Sequence, residues 1–245
     1  GRLPAATYGE NVSSGKKTGK GGGNYDTRYA YDKMGNILSL RRQGLHDDGA
    51  CDVIDDLKYA YDGNKVIRVE DSAIDPVYKD CFTFVDGADD ETEYEYDENG
   101  NLTKDLNRGI CGIRYNCLNL PSGVDFTDGS RITYTYDGGG RKLRTDYYIN
   151  PLTASVPQLS GGAGTAGEDA LVHTWTDYCA NKVYENDTLR MSLFDGGYVS
   201  YDAKVAASSP SPSYHYYIKD HLGDNRVVLG ENGAIEQVNH YYPFG

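Results

Sequence analysis

Three stretches of this chain carry residues whose types and spacing could do chemistry. Asp97-Glu98-Asn99-Gly100-Asn101 sets side-chain oxygens at alternate positions, as a hard cation such as calcium prefers. Gly162-Ala163-Gly164-Thr165-Ala166-Gly167 spells the glycine pattern that cradles a dinucleotide phosphate. His215, His221 and His240 gather toward the C-terminus, with Asp220 beside His221, as material for acid–base work.

Each stretch also has a simpler reading. A calcium loop needs Gly at its sixth position and Glu at its twelfth, whereas this one has Gly100 at the fourth and Leu102 at the sixth, as a hairpin turn would. A dinucleotide loop needs a buried strand before it and a helix after it. Here Ser155-Val156-Pro157-Gln158 precedes and strand-like Leu171-Val172-His173-Thr174-Trp175 follows, which reads as a linker. A triad is recognised by geometry, and His221 beside Asp220 reads as a turn residue. No catalytic residue, metal ligand or cofactor is assigned, and the chain reads as non-enzymatic.

The elements that would position any site are announced by a dipeptide, Tyr-Asp. It occurs at Tyr31-Asp32, Tyr61-Asp62, Tyr96-Asp97 and Tyr136-Asp137, each preceded two residues earlier by another Tyr. The copies YAYDKMGN, YAYDGNKV, YEYDENGN and YTYDGGGR start at positions 29, 59, 94 and 134. Spacings in that range mark a repeat in which stacked neighbours cover one another's faces. Side chains alternate along a strand, so Thr92, Tyr94 and Tyr96 are expected on one face and Glu93, Glu95 and Asp97 on the other. An Asp followed by x-x-Gly, as at Asp32 to Gly35 and Asp97 to Gly100, predicts a type I turn with a bulge: the carboxylate accepts from backbone amides and Gly takes φ > 0.

Composition agrees with strands. Of 245 residues, 38% are hydrophobic, and 23 Tyr outnumber 5 Phe and 1 Trp. A core built on Tyr must find a partner for every hydroxyl, which favours half-wet sheet faces. No stretch sustains a helical apolar period, and the fold class is all-β. A net charge of −13 argues against a nucleic-acid partner, whose phosphates need Lys and Arg. The basic cluster Lys16, Lys17 and Lys20 reads as a solvated loop, and the acidic run Asp86, Asp89, Asp90, Glu91 and Glu93 as a solvated connection. No run of eighteen apolar residues spans a membrane. Five cysteines, Cys51, Cys81, Cys111, Cys117 and Cys179, lack metal-site spacing. In an oxidising compartment Cys111 with Cys117, or Cys51 with Cys81, are candidate pairs; buried free thiols are an equal alternative.

Along the chain, residues 1–23 form a poorly patterned lead-in, 24–149 the Tyr-Asp repeats, 150–170 a Gly/Ser/Ala-rich loop, 171–205 further β-hairpins and 206–245 a final block. That block, YHYYIKDHLGDNRVVLGENGAIEQVNHYYPFG, has its own hairpin turn at Gly230-Glu231-Asn232-Gly233. Together with the Tyr-Asp copies it resembles the Rhs/YD-repeat family and the start of that family's repeat-associated core domain. The resemblance rests on Tyr217, Asp220, His221, Leu222, Gly223, Asn225, Arg226, Val227, Val228 and Gly233, then Tyr241, Tyr242, Pro243, Phe244 and Gly245. The wording YNCLNLPSGV at 115–124 is most similar to Bacteroidetes versions.

What the resemblance implies is a ribbon of tandem hairpins forming a curved sheet, an arc of a spiral shell or barrel. In this reading the chain is a structural segment of a large secreted or cell-surface protein that encloses or presents a variable C-terminal cargo, in some members a toxin. Its partners are then the rest of its own longer polypeptide, from which both ends are expected to be cut, and other copies meeting it at open strand edges. The residues expected to define the repeats are Tyr31, Asp32, Gly35, Tyr61, Asp62, Tyr96, Asp97, Gly100, Tyr136 and Asp137; those of the core block are Tyr217, Asp220, Gly223, Arg226, Gly233, Tyr242, Pro243 and Gly245. The alternative function is carbohydrate or cell-surface binding, with Tyr94, Tyr96, Tyr134 and Tyr136 stacking on sugar rings while Asp and Asn bind hydroxyls.

Overall fold

The computed structural model of the chain describes residues 5–6, 25–45, 51–73, 83–151, 171–201, 212–239 and 241. Among them there is no α-helix, and no helix is long and apolar enough to cross a membrane, which says nothing of a β-barrel. The chain is almost entirely antiparallel β, and it divides into two compact units at Ile110/Cys111.

The first unit opens with β1 (Ala5–Ala6), β2 (Thr27–Tyr31), β3 (Ile37–Leu45), β4 (Cys51–Asp62) and β5 (Lys65–Asp71), hydrogen-bonded in that order. The lead-in thus contributes one short strand, with Ala5 opposite Arg28 and Ala6 opposite Thr27. Residues 83–93, none of them in a strand, then lead to β6 (Tyr94–Tyr96) and β7 (Leu102–Asp105), followed by a single 3-10 turn at Leu106–Arg108. Gly109, at φ +64°, ends that turn and donates to the Leu106 carbonyl.

The strands that follow are β8 (Ile110–Tyr115), β9 (Pro121–Phe126), β10 (Arg131–Tyr136), β11 (Lys142–Ile149), β12 (Val172–Cys179), β13 (Lys182–Glu185), β14 (Thr188–Phe194), β15 (Gly197–Tyr201), β16 (Pro212–Lys219), β17 (Asn225–Gly230) and β18 (Ile235–Val238). Each pairs with the next in sequence, and among the described residues no pairing joins a last strand to a first, so no barrel is closed there. The strand-like Leu171 to Trp175 falls on β12 and the turn expected at Gly230 to Gly233 joins β17 to β18, but sequence patterning does not single out the β8–β9 hairpin, whose turn Asn116 to Leu120 carries no Tyr-Asp.

Turn chemistry explains why the chain reverses where it does. In the Asp97 turn the Asp97 amide donates to the Asn101 carbonyl at 2.9 Å and the Gly100 amide to the Asp97 carbonyl at 3.1 Å. The same two bonds recur at Asp137 with Arg141 and Gly140, and at Asp220 with Asp224 and Gly223. Gly100 sits at φ +85° and Gly140 at φ +82°, where a Cβ would clash with its own carbonyl, so Gly is required. A register shift follows at Glu95/Tyr96 and Thr135/Tyr136, the bulge expected of a three-residue hairpin loop.

The interior is thin and unusually polar. Ile54, Leu57, Val69, Val124, Val199 and Val228 are the buried hydrophobic residues described, while Thr27, Asp55, Glu93, Asp105, Asn107, Ser130, Thr145 and Thr176 are buried polar ones. Buried polar atoms must be hydrogen-bonded or they cost stability, so the architecture depends on where these groups find partners.

Two expectations are corrected here. Cys111, Cys117 and Cys179 are free and exposed, neither bridged nor buried; Cys111 lies on an outward position of β8 and its thiol donates to the Asp125 carbonyl at 3.4 Å. Cys81 and the Cys51 side chain lie outside the described residues. The alternation anticipated for residues 92–97 is reversed at its start: Thr92 is exposed and Glu93 is 1% exposed, because the strand begins only at Tyr94 and the Glu93 amide donates instead to the Ile67 carbonyl on β5.

Candidate functional site

The Tyr-Asp turns bring two kinds of side chain to the same place. The Asp carboxylate caps the turn from inside. Asp97 accepts from the Asn99 and Asn101 amides at 2.9 and 2.8 Å and from Asn101 Nδ2 at 2.8 Å. Asp32 accepts from Gly35 N, Asn36 N and Asn36 Nδ2 at 2.6, 2.8 and 2.8 Å. Asp137 accepts from the Gly139 and Arg141 amides, and Asp220 from the Leu222 and Asp224 amides. Hydrogen bonds to the ionised form hold these acids below the ordinary carboxylate value: the Asn101 side chain is the largest influence at Asp97, and the Arg141 amide at Asp137. The oxygens that would face a cation at Asp97 are thus turned to the loop's own donors.

Asp62 departs from the pattern. Its hairpin turns in two residues, Gly63 and Asn64, with Gly63 at φ +60°, and Asp62 is an exposed strand residue opposite Lys65. Asn64 still serves a neighbour, since its Oδ1 accepts from Asn36 Nδ2 at 3.3 Å.

The second Tyr of a copy binds backward in the chain. Tyr61 Oη donates to the Ile37 carbonyl at 2.7 Å, Tyr96 Oη to the Val66 carbonyl at 2.9 Å and Tyr136 Oη to the Pro121 carbonyl at 2.8 Å. Each acceptor lies at the start of the strand that returns from the preceding turn. At Asp97 and Asp137 the Asp therefore closes its own hairpin while the Tyr before it fastens that hairpin to the one before; Tyr61 does the second without the first. Tyr29 and Tyr31 stack with centroids 6.1 Å apart, and Lys65 Nζ lies 5.5 Å from the Tyr96 ring, adding cation–π attraction along this row. Burial raises the ionisation of Tyr61, Tyr96 and Tyr136 above the usual phenol value.

The four rings considered for sugar stacking, Tyr94, Tyr96, Tyr134 and Tyr136, are all half-buried. The hydroxyls of Tyr96 and Tyr136 are bound to backbone, and Tyr94 Oη accepts from Asn107 Nδ2 at 3.1 Å. Tyr134 packs against Tyr136 at 6.5 Å, with Lys142 Nζ 4.6 Å above it.

Sequence patterning missed the groups that hold the acidic segment, residues 83–93, along the first unit. Asp55, fully buried, pairs with Arg42 Nε at 2.6 Å and accepts from the Phe84 amide at 2.7 Å. Glu93 accepts from the Val69 amide at 3.0 Å and from Asn107 Nδ2 at 2.7 Å, while Asn107 Oδ1 accepts from the Gly87 and Ala88 amides. Arg68 spans Asp89 at 2.7 Å, Glu70 at 3.1 Å and Glu93 at 3.7 Å. A shallow cleft of about 540 Å³ runs between Arg68, Asp71, Asp86 and Asp89. Asp86, Asp89, Asp90 and Glu91 are exposed on this connection, whereas Glu93 is buried and anchors it through the Val69 amide; Asp86 adds a bond from the Asp71 amide at 3.0 Å. Asp105 caps the 3-10 turn by accepting from the Arg108 amide, and burial pushes its carboxyl above the ordinary value.

In the C-terminal block, Arg226 faces Asp220 at 3.8 Å and lies 5.4 Å from the Tyr241 ring, whose hydroxyl donates to the Asn225 carbonyl. Gly223 and Gly233 occupy positive-φ turn positions, and the Tyr217 amide donates to the Gly196 carbonyl at 2.8 Å. Tyr242, Pro243 and Gly245 lie outside the described residues, as do Lys16, Lys17, Lys20, the glycine pattern at 162–167 and His240. Among the described residues, no group of three or more His, Cys, Asp or Glu is arranged to hold a metal.

No family profile and no curated protein matches the chain. Solved structures that it is similar to are a TcdB2-TccC3-TEV crystal structure (14% identity, TM-score 0.37, 91% of this chain and 15% of that one), a TcdB2-TccC3-Cdc42 crystal structure (14%, 0.43, 90% and 13%) and a Photorhabdus luminescens Tc holotoxin pore (14%, 0.35, 91% and 14%). The chain spans about one seventh of the length of these structures.

Proposed function

We propose that the Tyr-Asp hairpins are a non-enzymatic structural segment, one arc of a β-shell or surface scaffold of Rhs/YD-repeat type in a larger exported polypeptide, which encloses or presents a C-terminal cargo domain. The observation that carries this reading is the backward tyrosine bond. Tyr61, Tyr96 and Tyr136 each donate to the carbonyl of an earlier return strand, so each of these three hairpins is fastened to its predecessor. Strands pairing in sequence order have the same property of extending by addition. The half-burial of all four rings, with the hydroxyls of Tyr94, Tyr96 and Tyr136 hydrogen-bonded, favours packing over sugar recognition. Secretion or surface display, the cargo, and self-association through open edges belong to this proposal, the last supported by β18, whose Ile235 and Val238 are exposed.

The test uses the full-length polypeptide. Limited proteolysis should leave the C-terminal cargo intact while the Tyr-Asp segment is folded, and the double variant Y61F/Y96F should make the cargo cleavable at lower protease concentrations. A cargo equally sensitive with and without the folded segment would overturn the reading.

A further inference from the structure

We propose that Ser200, His215 and Glu236 form a nucleophilic acyl-transfer site that acts on small acyl esters, independent of the scaffold role. Ser200 Oγ lies 2.8 Å from His215 Nε2, and His215 Nδ1 lies 2.5 Å from Glu236 Oε2. A serine, a base and a carboxylate that orients the base, joined in that sequence by hydrogen bonds, define this chemistry by geometry and not by position in the chain.

Three features of the sheet build the relay. On β15, Tyr198 and Ser200 share a face, and Tyr198 lies directly opposite His215 on β16, which places His215 diagonal to Ser200. The Tyr198 ring stacks on the imidazole at 4.3 Å and 12°, fixing its plane. On β17 the residue opposite His215 is Gly230, and a Cβ there would lie 2.6 Å from Glu236 Oε1. The missing side chain is the gap through which Glu236 reaches across β17 from β18. Leu193, opposite Tyr198 on β14, is 43% exposed, so an ester can approach this face.

The electron and proton accounting is that of an ester hydrolase. Glu236 accepts from Nδ1–H, leaving the Nε2 lone pair to take the Ser200 hydroxyl proton as Oγ bonds to the ester carbonyl carbon. Collapse of the tetrahedral adduct breaks the bond to the alcohol oxygen, and the alcohol leaves with the proton held on Nε2. Water then attacks the acyl-serine by the same route, releasing the acid and restoring the hydroxyl. Ser200 and His215 are the catalytic residues; Glu236, Tyr198 and Gly230 are positioning residues.

The test is labelling of the intact chain with a fluorophosphonate probe, located by peptide mass spectrometry, alongside p-nitrophenyl acetate turnover. The expected result is one adduct, on Ser200, absent from S200A at an unchanged melting temperature. H215A should slow labelling by ~10²-fold, the scale of a lost general base. E236Q should slow it at an unchanged melt, with recovery in E236D, which a purely structural cross-strand bond would not produce. Absence of a Ser200 adduct on folded protein, or labelling indifferent to H215A, would overturn the proposal.

Discussion

The two compact units stabilise similar hairpins by different means. In the first, the acidic segment is held by charges taken out of water: Asp55 on Arg42 and the Phe84 amide, Glu93 on the Val69 amide and Asn107. In the second, charges stay near solvent and work across strands. Arg144 grips Asp177 through two bonds at 2.6 and 2.7 Å and lies 5.6 Å from the Trp175 ring, Tyr148 stacks on His173 at 4.5 Å, and Arg131 covers Tyr148. The difference follows from connectivity. Where neighbouring strands join by tight turns, ladder bonds satisfy the backbone. Where a long non-strand segment must lie against a sheet, its amides need side-chain acceptors, and buried carboxylates supply them.

That contrast breaks most sharply at Asp55. D55A removes the buried carboxylate that Arg42 Nε and the Phe84 amide bond, and should destabilise the first unit by about 3–5 kcal/mol. D177A, which removes a pair whose Arg144 side chain is 40% exposed, should cost only about 0.2–1 kcal/mol. Equal losses for the two variants in chemical denaturation would erase the distinction.

The turns themselves should not distinguish the units. G100A and G223A place a Cβ at similar positive φ, with open space around it, in the two units, and each should cost about 1 kcal/mol. A large difference between their denaturation midpoints would mean that the turns, and not the buried charges, separate the units.

The smallest effects are those of pH. Asp97 and Asp137, held low by their turns, contribute stability that is present above the ordinary carboxylate value near 4 and lost as pH falls through their depressed folded values. Asp105 has the opposite sign: raised by burial, it favours the first unit at low pH and loses that contribution as pH rises through its folded value. Within the first unit Asp105 therefore offsets part of the stability that Asp32 and Asp97 lose in acid. At the alkaline end Tyr59, pushed up to about 12 by burial and then by Tyr61, loses stability as pH climbs from the ordinary phenol value toward 12. Tyrosine absorbance titration should show a late-ionising fraction that becomes ordinary on denaturation; a single ordinary titration in the folded protein would contradict this.

What the sequence made legible was local. An Asp with Gly three residues on states its turn, because carboxylate, amides and φ > 0 all lie within five residues, and the Asp32, Asp97, Asp137 and Asp220 turns follow that rule. Asp62 escapes it, because its Gly63 arrives two positions early. Buried charge was illegible: Glu93 stands in an acidic run that reads as solvated, and only β5 and Asn107, both distant in sequence, make it an anchor. The direction of the tyrosine hydroxyls was hidden for the same reason. So was the Ser200, His215 and Glu236 relay, whose members are 15 and 21 residues apart and meet only through the registers of four strands.

The central claim is that the Tyr61, Tyr96 and Tyr136 hairpins are each fastened to the one before through a tyrosine hydroxyl. Native-state hydrogen exchange on Y96F tests it most directly. The variant removes one hydroxyl, a loss of about 1 kcal/mol, and leaves the Asp97 turn untouched. Protection should fall in β5, which holds the Val66 acceptor, together with β6 and β7. Loss confined to β6 and β7, with β5 exchanging as before, would contradict the account.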